Sequence, residues 1–407
     1  MDRLYERCCG LDVHKKSITA CVITPERRET RTFGTMTSDL LSLADWLLTK
    51  AVTHVAMEST GVYWKSPYNL LEGTGLELLV VNAQHIKAVP GRKTDVRDAE
   101  WIAELLQHGL LKASFIPDRP QRELRELVRY RTQILRERVR AVQRIQKLLE
   151  GANIKLSSVA TDILGVSGRA MLTALAAGEA DPAALAELAK GRLKNKRPQL
   201  ESALTGLIGD HQRMLLQITL RHIGFLEEQV TALDREVAER MRPFQKELEA
   251  LDAIPGCAQR SAESFLAEVG ADMSRFPTHR HLASWARICP GNDESAGKRR
   301  SGSTGHGNPW LRGTLVEMAH GTGRSRSYLG AQYHRIAARR GKKRAAVAVG
   351  HSILVMAYHV LRDGTSYREL GANYFDERGR EAVARGAVKR LERLGFKVTI
   401  EEATKVA

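Results

Sequence analysis

The first 115 residues switch between strand-like and helix-like patterns, and few folds accept the order in which they do so. Residues 8–13, 17–24 and 30–35 read as three short strands joined by tight turns. A helical pattern over 39–49 follows, then an apolar strand at 54–57, a helix over 62–72 and a strand at 76–81. A last helix begins near Thr94, which can cap it, with Asp95 and Asp98 in its first turns.

Three antiparallel strands followed by α-β-α-β-α is the order of an RNase H fold, and it gives four acidic residues a common destination. Asp12 falls at the end of the first strand and Glu58 just beyond the fourth, while Asp95 and Asp98 open the last helix. Those places converge at one edge of such a sheet. Cutting a phosphodiester requires charge to be neutralised on the attacked phosphate and on the leaving oxygen, and two Mg²⁺ (or Mn²⁺) ions held by carboxylates do this. Sugar kinases and actin-like ATPases also open with a strand, an Asp and a β-hairpin. Their phosphate loop needs glycine and a hydroxyl directly after the Asp, whereas Val13-His14-Lys15-Lys16 stands here. Lys15 and Lys16 suit a nucleic-acid backbone instead.

From residue 116 to about 245 the chain turns helical and highly charged. Val128, Leu135, Val142 and Leu149 recur every seven residues, and Ile223, Leu226, Val230, Leu233 and Val237 step by three and four. Both step as coiled-coil seams do, and an ordinary helical bundle is the alternative; as seams they predict at least a dimer, with tetramers on paired DNA. Residues 151–198, rich in alanine and broken by Gly165, Gly168, Gly178 and Pro182, predict shorter helices at the far end of a helical hairpin. A third unit over 246–407 opens with Ile254-Pro255-Gly256 before a helical run at 261–269, the form of a helix-hairpin-helix whose turn suits a phosphate. Asn308-Pro309 can start a helix as N-cap and first residue. Further helices are expected from Tyr328 and over 342–361, and the tail past 378 suggests one more helix and a short strand.

Charge names the partner class. With 63 Lys and Arg against 47 Asp and Glu, the chain carries +16, a field that attracts polyanions. Residues 297–345 hold twelve of those cations against the single acid Glu317. Arg312, Arg339, Arg340, Lys342 and Lys343 in this stretch are expected to contact phosphates, although such a stretch is also compatible with a solvated face. Five cysteines without C-x-x-C spacing suggest neither a disulfide framework nor a zinc site, and read as reduced thiols of a cytosolic protein. No apolar run of signal-peptide length opens the chain, and 345–361 reads as a buried helix rather than a membrane span.

The segment Asp293-Glu294-Ser295-Ala296-Gly297-Lys298-Arg299-Arg300 sets a serine among small residues beside three consecutive cations. A serine hydroxyl attacks phosphate when its proton is removed and the developing charge is stabilised, and cations serve the second need. On composition alone the segment reads more simply as a flexible phosphate-binding loop, and no base lies nearby in sequence.

At this point the motifs resemble a family. Gly10-Leu11-Asp12-Val13-His14-Lys15, Met57-Glu58-Ser59-Thr60-Gly61, Lys93-Thr94-Asp95-Val96-Arg97-Asp98, Ile254-Pro255-Gly256 and the stretch from Pro290-Gly291 through Ser295-Ala296-Gly297-Lys298 to Asn308-Pro309-Trp310-Leu311-Arg312 occur in the order seen in DEDD transposases of bacterial insertion sequences, the bridge-RNA-guided recombinases. The resemblance covers nearly the whole chain. It implies a RuvC-like domain at 1–115 with Asp12, Glu58, Asp95 and Asp98 as a metal-binding quartet, a coiled coil at 116–245 and a transposase domain at 246–407 whose serine is Ser295. It also implies a covalent phosphoserine intermediate, target and donor duplex DNA, an element-encoded guide RNA, active sites shared between subunits and a location at the bacterial nucleoid in the cytoplasm. Two other readings stay open: a RuvC-like nuclease of branched DNA that uses water and no serine, and a non-catalytic DNA-bridging protein.

Overall fold

The computed structural model describes residues 3–59, 61–82, 98–290, 293–295, 298–301, 304–305 and 307–401. The chain divides into two compact units, Met1–Asp118 and Arg119–Ala407.

In the first unit the strands are β1 (Cys8–Val13), β2 (Ile18–Ile23), β3 (Arg28–Phe33), β4 (His54–Glu58) and β5 (Glu77–Val81). They form one sheet in the order β3-β2-β1-β4-β5. β1 and β2 pair antiparallel, as do β2 and β3, while β4 runs parallel to β1 and β5 parallel to β4. The helices are α1 (Thr37–Thr49), α2 (Lys65–Leu71) and α3 (Asp98–Gln107). Strand alternation sorts the side chains of the central strands between two cores. Cys9, Leu11, Val55 and Met57 pack with Leu40, Leu43 and Leu47 of α1 on one face, whereas Cys8 and Ala56 pack with Ile102 and Leu106 of α3 on the other. The even-numbered face of β1 therefore carries Gly10 and Asp12, and that of β4 carries Ala56 and Glu58, all toward the α3 side. Burial pushes the Cys8 thiol up to about 12, which keeps it protonated and inert.

Gly10 sets how closely α3 approaches. A Cβ there would fall 2.3 Å from the carbonyl oxygen of Ala99 and 2.4 Å from the backbone nitrogen of Ala103. The helix backbone thus lies directly on the central strand, and its first residue, Asp98, is carried toward the strand end that bears Asp12.

The second unit begins with α4 (Arg119–Gly151) and continues through four short helices, α5 (Leu156–Val159), α6 (Val166–Ala177), α7 (Pro182–Glu187) and α8 (Arg197–Leu204), to α9 (Asp210–Met241). α4 and α9 lie antiparallel, as their ion pairs require: Glu123 meets Arg240 at 3.0 Å, Arg131 meets Asp234 at 2.9 Å and Arg138 meets Glu227 at 2.8 Å. The two apolar seams face each other, with Ile134 and Leu135 against Leu226, Val230 and Leu233. The stretches around Ile134 and Val230 thus pack on each other within one chain, forming an intrachain helical pair. The short helices α5–α8 close the far end over Ile145, Leu149, Met171, Leu172 and Leu200.

Next come α10 (Gln245–Asp252), α11 (Gln259–Val269), α12 (His279–Trp285), α13 (Pro309–Thr322), α14 (Tyr328–Arg340), α15 (Lys342–Asp363), α16 (Tyr374–Arg378) and α17 (Arg380–Glu392). α15 is long and apolar enough to cross a membrane by length and composition. In the fold it is a core helix instead, burying Ala345, Val349, Ile353, Leu354 and Tyr358 among α10, α12, α13 and α14. The tail contains two helices where one helix and a strand were expected; among the described residues past 301 there is no strand.

Two substitutions test this packing. Gly10→Ala should cost about 3 kcal/mol in urea denaturation, the upper end of typical overpacking. Gly224→Ala, on α9 with nothing within 4 Å of its Cβ, should gain up to about 1 kcal/mol. A Gly10→Ala protein as stable as the parent would contradict the close approach of α3. Leu135→Asn and Val230→Asn should each lower the melting temperature at any protein concentration; a loss that disappears at high concentration would instead point to a contact between copies.

Candidate functional site

The acidic edge is built from three elements of the first unit. In the parallel ladder Leu11 is opposite Met57, so the next residues, Asp12 and Glu58, stand side by side at the strand ends. Asp98 begins α3 on the same face. Asp12 is half-buried, its side chain 20% exposed and 3.0 Å from Nε2 of His14. Burial pushes the Asp12 carboxyl above its ordinary range; His14 opposes the rise, and the like charges of Asp98 and Glu58 add to it. The carboxylates therefore sense one another. No three Asp, Glu, His or Cys side chains among the described residues are drawn together as a ligand set. Asp95, the fourth member expected from the sequence, lies outside the described residues, as does Thr94. Lys15 and Lys16 are exposed in the β1–β2 turn, which is closed by the His14 N–H donating to the Ser17 carbonyl at 2.9 Å.

The serine segment of the second unit is a two-stranded hairpin rather than a loop. β6 (Asp293–Ser295) pairs antiparallel with β7 (Lys298–Ser301), placing Ser295 opposite Lys298 and Glu294 opposite Arg299, with Arg300 following in the same strand. The register shifts between Asp293 and Glu294. These strands are too short and too polar to carry a period-2 signal, which is why the sequence suggests a loop. The Ile254-Pro255-Gly256 turn is seated against α13. Gly256 has φ +83°, and a Cβ there would meet the Met318 carbonyl at 2.3 Å, so close packing accounts for the glycine.

One buried carboxylate ties this unit together. Glu268, on α11 and 2% exposed, accepts from Arg129 at 2.6 and 2.8 Å and from the Asn308 side chain at 2.6 Å. Arg125 donates to the Glu268 carbonyl at 2.6 Å, and burial draws its guanidinium down to about 10. Asn308 also caps α13, its Oδ1 accepting from the Trp310 and Leu311 N–H groups at 3.0 and 3.1 Å, as the sequence predicts. Arg312 is half-buried on the first turns of α13. Arg339 and Arg340 end α14, Lys342 and Lys343 start α15, and all four are exposed with no carboxylate within ion-pair distance among the described residues. Arg129, Arg136 and Arg140, spaced by seven and four on α4 beside Trp310, form a cationic wall that the sequence reading passed over. Their shared helical face was the available signal.

Two family models match. One, for DEDD transposases of the IS110 type, covers residues 9–154. The other, described as the transposase IS116/IS110/IS902 family, covers residues 248–335. Together they span more than half of the chain. The chain belongs to the IS110/IS116 family of DEDD transposases. The first match includes Asp12, Glu58, Asp95 and Asp98, and the second includes Ser295 and Trp310.

Among relatives, the insertion element IS116 44.8 kDa protein of Streptomyces clavuligerus is 29% identical over 263 residues, which is 56% of this transposase-family chain and 63% of that relative. The match thus spans less than two-thirds of the relative's length. Two Sinorhizobium fredii proteins described as transposases are also similar. One, y4pF/y4sB, is 26% identical over 78% of this chain and 75% of its own; the other, y4qE, is 27% identical over 77% and 71%.

For the basic corner, the joint substitution of Arg339, Arg340, Lys342 and Lys343 by Gln should weaken duplex binding regardless of sequence. The slope of log K against log salt should become shallower by about 3 to 4, since each duplex phosphate contact contributes about 0.9. Filter-binding titrations across a salt series measure it, and an unchanged slope would leave these cations as a solvated face.

Proposed function

We propose that this transposase-family chain is the recombinase of an insertion sequence, cutting and rejoining DNA through Ser295 with an acidic metal-binding edge beside it in the working assembly. The observation that carries the reading is the convergence of Asp12, Glu58 and Asp98 on one face and one end of a β3-β2-β1-β4-β5 sheet. That strand order is the one an RNase H or RuvC-like fold requires, and the family match supports it.

Hard carboxylate oxygens and mutual repulsion at Asp12 fit a divalent cation, and Asp12, Glu58 and Asp98, with Asp95, are the residues that would hold Mg²⁺ or Mn²⁺. When bound, the metal would neutralise charge on the phosphate and on the leaving oxygen. In the strand-transfer step proposed here, the Ser295 Oγ forms a new bond to phosphorus as the bond to a deoxyribose oxygen breaks, and that oxygen leaves protonated. A hydroxyl from another strand then attacks the phosphoserine, restores the serine and takes its place on phosphorus. One phosphoester exchanges for another, so no outside energy source is needed. Lys298, Arg299 and Arg300 on the paired strand supply positive charge close in sequence to the transferred phosphate.

The family resemblance supports further parts of the reading: an element-encoded guide RNA that pairs with target and donor DNA, a protein that grips the resulting helices by backbone and shape, and a dimer or tetramer that brings the acidic edge of one subunit to the serine of another. Lys15, Lys16, Arg312 and the basic corner are the proposed backbone contacts.

Denaturing gels with labelled DNA test the chemistry. Asp12→Ala, Glu58→Ala or Asp98→Ala should abolish strand cleavage while the circular-dichroism spectrum and DNA affinity persist; near-normal Mg²⁺-dependent cleavage by the first two would sink the shared metal edge. Ser295→Ala should abolish the covalent protein–DNA adduct, while Ser301→Ala and Ser303→Ala retain it. An adduct mapped to another serine would overturn the assignment of Ser295, and nicks without any adduct in the parent protein would make it a water-driven nuclease.

A further inference from the structure

A cleft of about 470 Å³ opens between α4, α11 and α13, a volume within the range that holds small ligands. The indole of Trp310 forms part of its wall, with the guanidinium of Arg136 5.1 Å and that of Arg129 5.7 Å from the ring centroid. Arg140 and Arg260 line it as well. These cations fall into two classes. Arg129 is bound twice by Glu268, and Arg260 donates to Asp234 at 2.6 Å, so both are committed to the fold. Arg136 and Arg140 are exposed one turn apart, and among the described residues neither meets a carboxylate.

Arg136 lies on the Trp310 ring, but ion pairing within the fold does not explain the pair. A like-charged pair at i and i+4 weakens a helix, and a solvated helix face would ordinarily interleave acids. Two guanidiniums without a carboxylate partner among the described residues, one of them on the face of a partly exposed aromatic ring, instead match a ligand that has both an anionic group and a π-face. Paired bases in a duplex have their faces covered by stacking neighbours, so only a base swung out of its stack can reach an indole recessed among three helices.

We propose that this cleft receives one unpaired nucleotide of a single-stranded nucleic acid, its base stacked on Trp310 or on the guanidinium plane of Arg136 and its flanking phosphates held by Arg136 and Arg140. The inference rests on the reading of the chain as a nucleic-acid enzyme, and on neither its serine nor its metal.

The test uses the full chain in EDTA, so that no cleavage occurs, and fluorescence anisotropy with a labelled thymidine decamer, a uridine decamer and a duplex of equal length. Arg136→Gln with Arg140→Gln changes two exposed side chains and leaves folding intact. It should weaken single-strand binding about tenfold and make the salt slope shallower by about 1.4, two contacts at about 0.7 each. Duplex binding should change less than about twofold, since stacking on an unpaired base is absent there. Trp310→Ala should cost about tenfold on single strands, as one lost stacked base does, and Trp310→Phe should keep most of the affinity. Tighter binding of the thymidine decamer would identify a displaced DNA strand as the occupant, and tighter binding of the uridine decamer an RNA strand. Equal losses on duplex and single strands would make the cleft part of a general phosphate-gripping surface and overturn the proposal, as would unchanged single-strand affinity in the double variant. Failure of the recombinase reading would appear separately, as absent adduct or cleavage in a protein whose single-strand binding still depends on Arg136, Arg140 and Trp310.

Discussion

A missing side chain at position 10 lets a helix rest on the central strand of the sheet. Because the Ala99 carbonyl and the Ala103 nitrogen occupy the space that a Cβ would need, α3 is fixed along the strand as well as above it. The same contact decides where Asp98 begins that helix, and strand alternation has already placed Asp12 and Glu58 on the covered face. Without the close approach, Asp12 and Glu58 would still sit side by side at the strand ends, but Asp98, 86 positions after Asp12, would not be brought to them. Geometry of the backbone therefore precedes the chemistry of the carboxylates here.

Much of the first unit was legible because its signals are local. Strands β1, β2, β4 and β5 follow largely apolar stretches bounded by turns, whereas β3 is a polar edge strand, and their order leaves few topologies; Glu58 differs from the expectation only in ending β4 rather than following it. The role of Gly10 was not legible, since a glycine in a strand signals a bulge or a close approach without naming its neighbour. In the second unit, the seams around Val128 and Ile223 were visible as seams, but periodicity cannot say whether the partner is another copy or a later segment of the same chain. The ion pairs from Glu123 to Arg240 and from Arg138 to Glu227 pair the two helices within one chain.

The candidate site divides along the same line. Asp12, Glu58, Asp98 and the Asn308 cap could be read from position within an element. The β6–β7 hairpin could not, being too short to show alternation, and the Trp310 cleft could not because α4 and α13 meet across more than 150 residues of intervening chain. Neither the Arg spacing on α4 nor the tryptophan carries meaning until the two helices are brought together.

Asn308 has a consequence for reach. Its side chain holds the start of α13 with one atom and the buried Glu268 with another, so the residue that opens α13 is moored to the scaffold by its amide. From Ser301 to that mooring there are seven peptide steps, which span at most about 25 Å when fully drawn out. For the chemistry proposed for Ser295, this sets an upper bound: the phosphate it attacks has to come within that span, plus the short hairpin itself, of the first turn of α13.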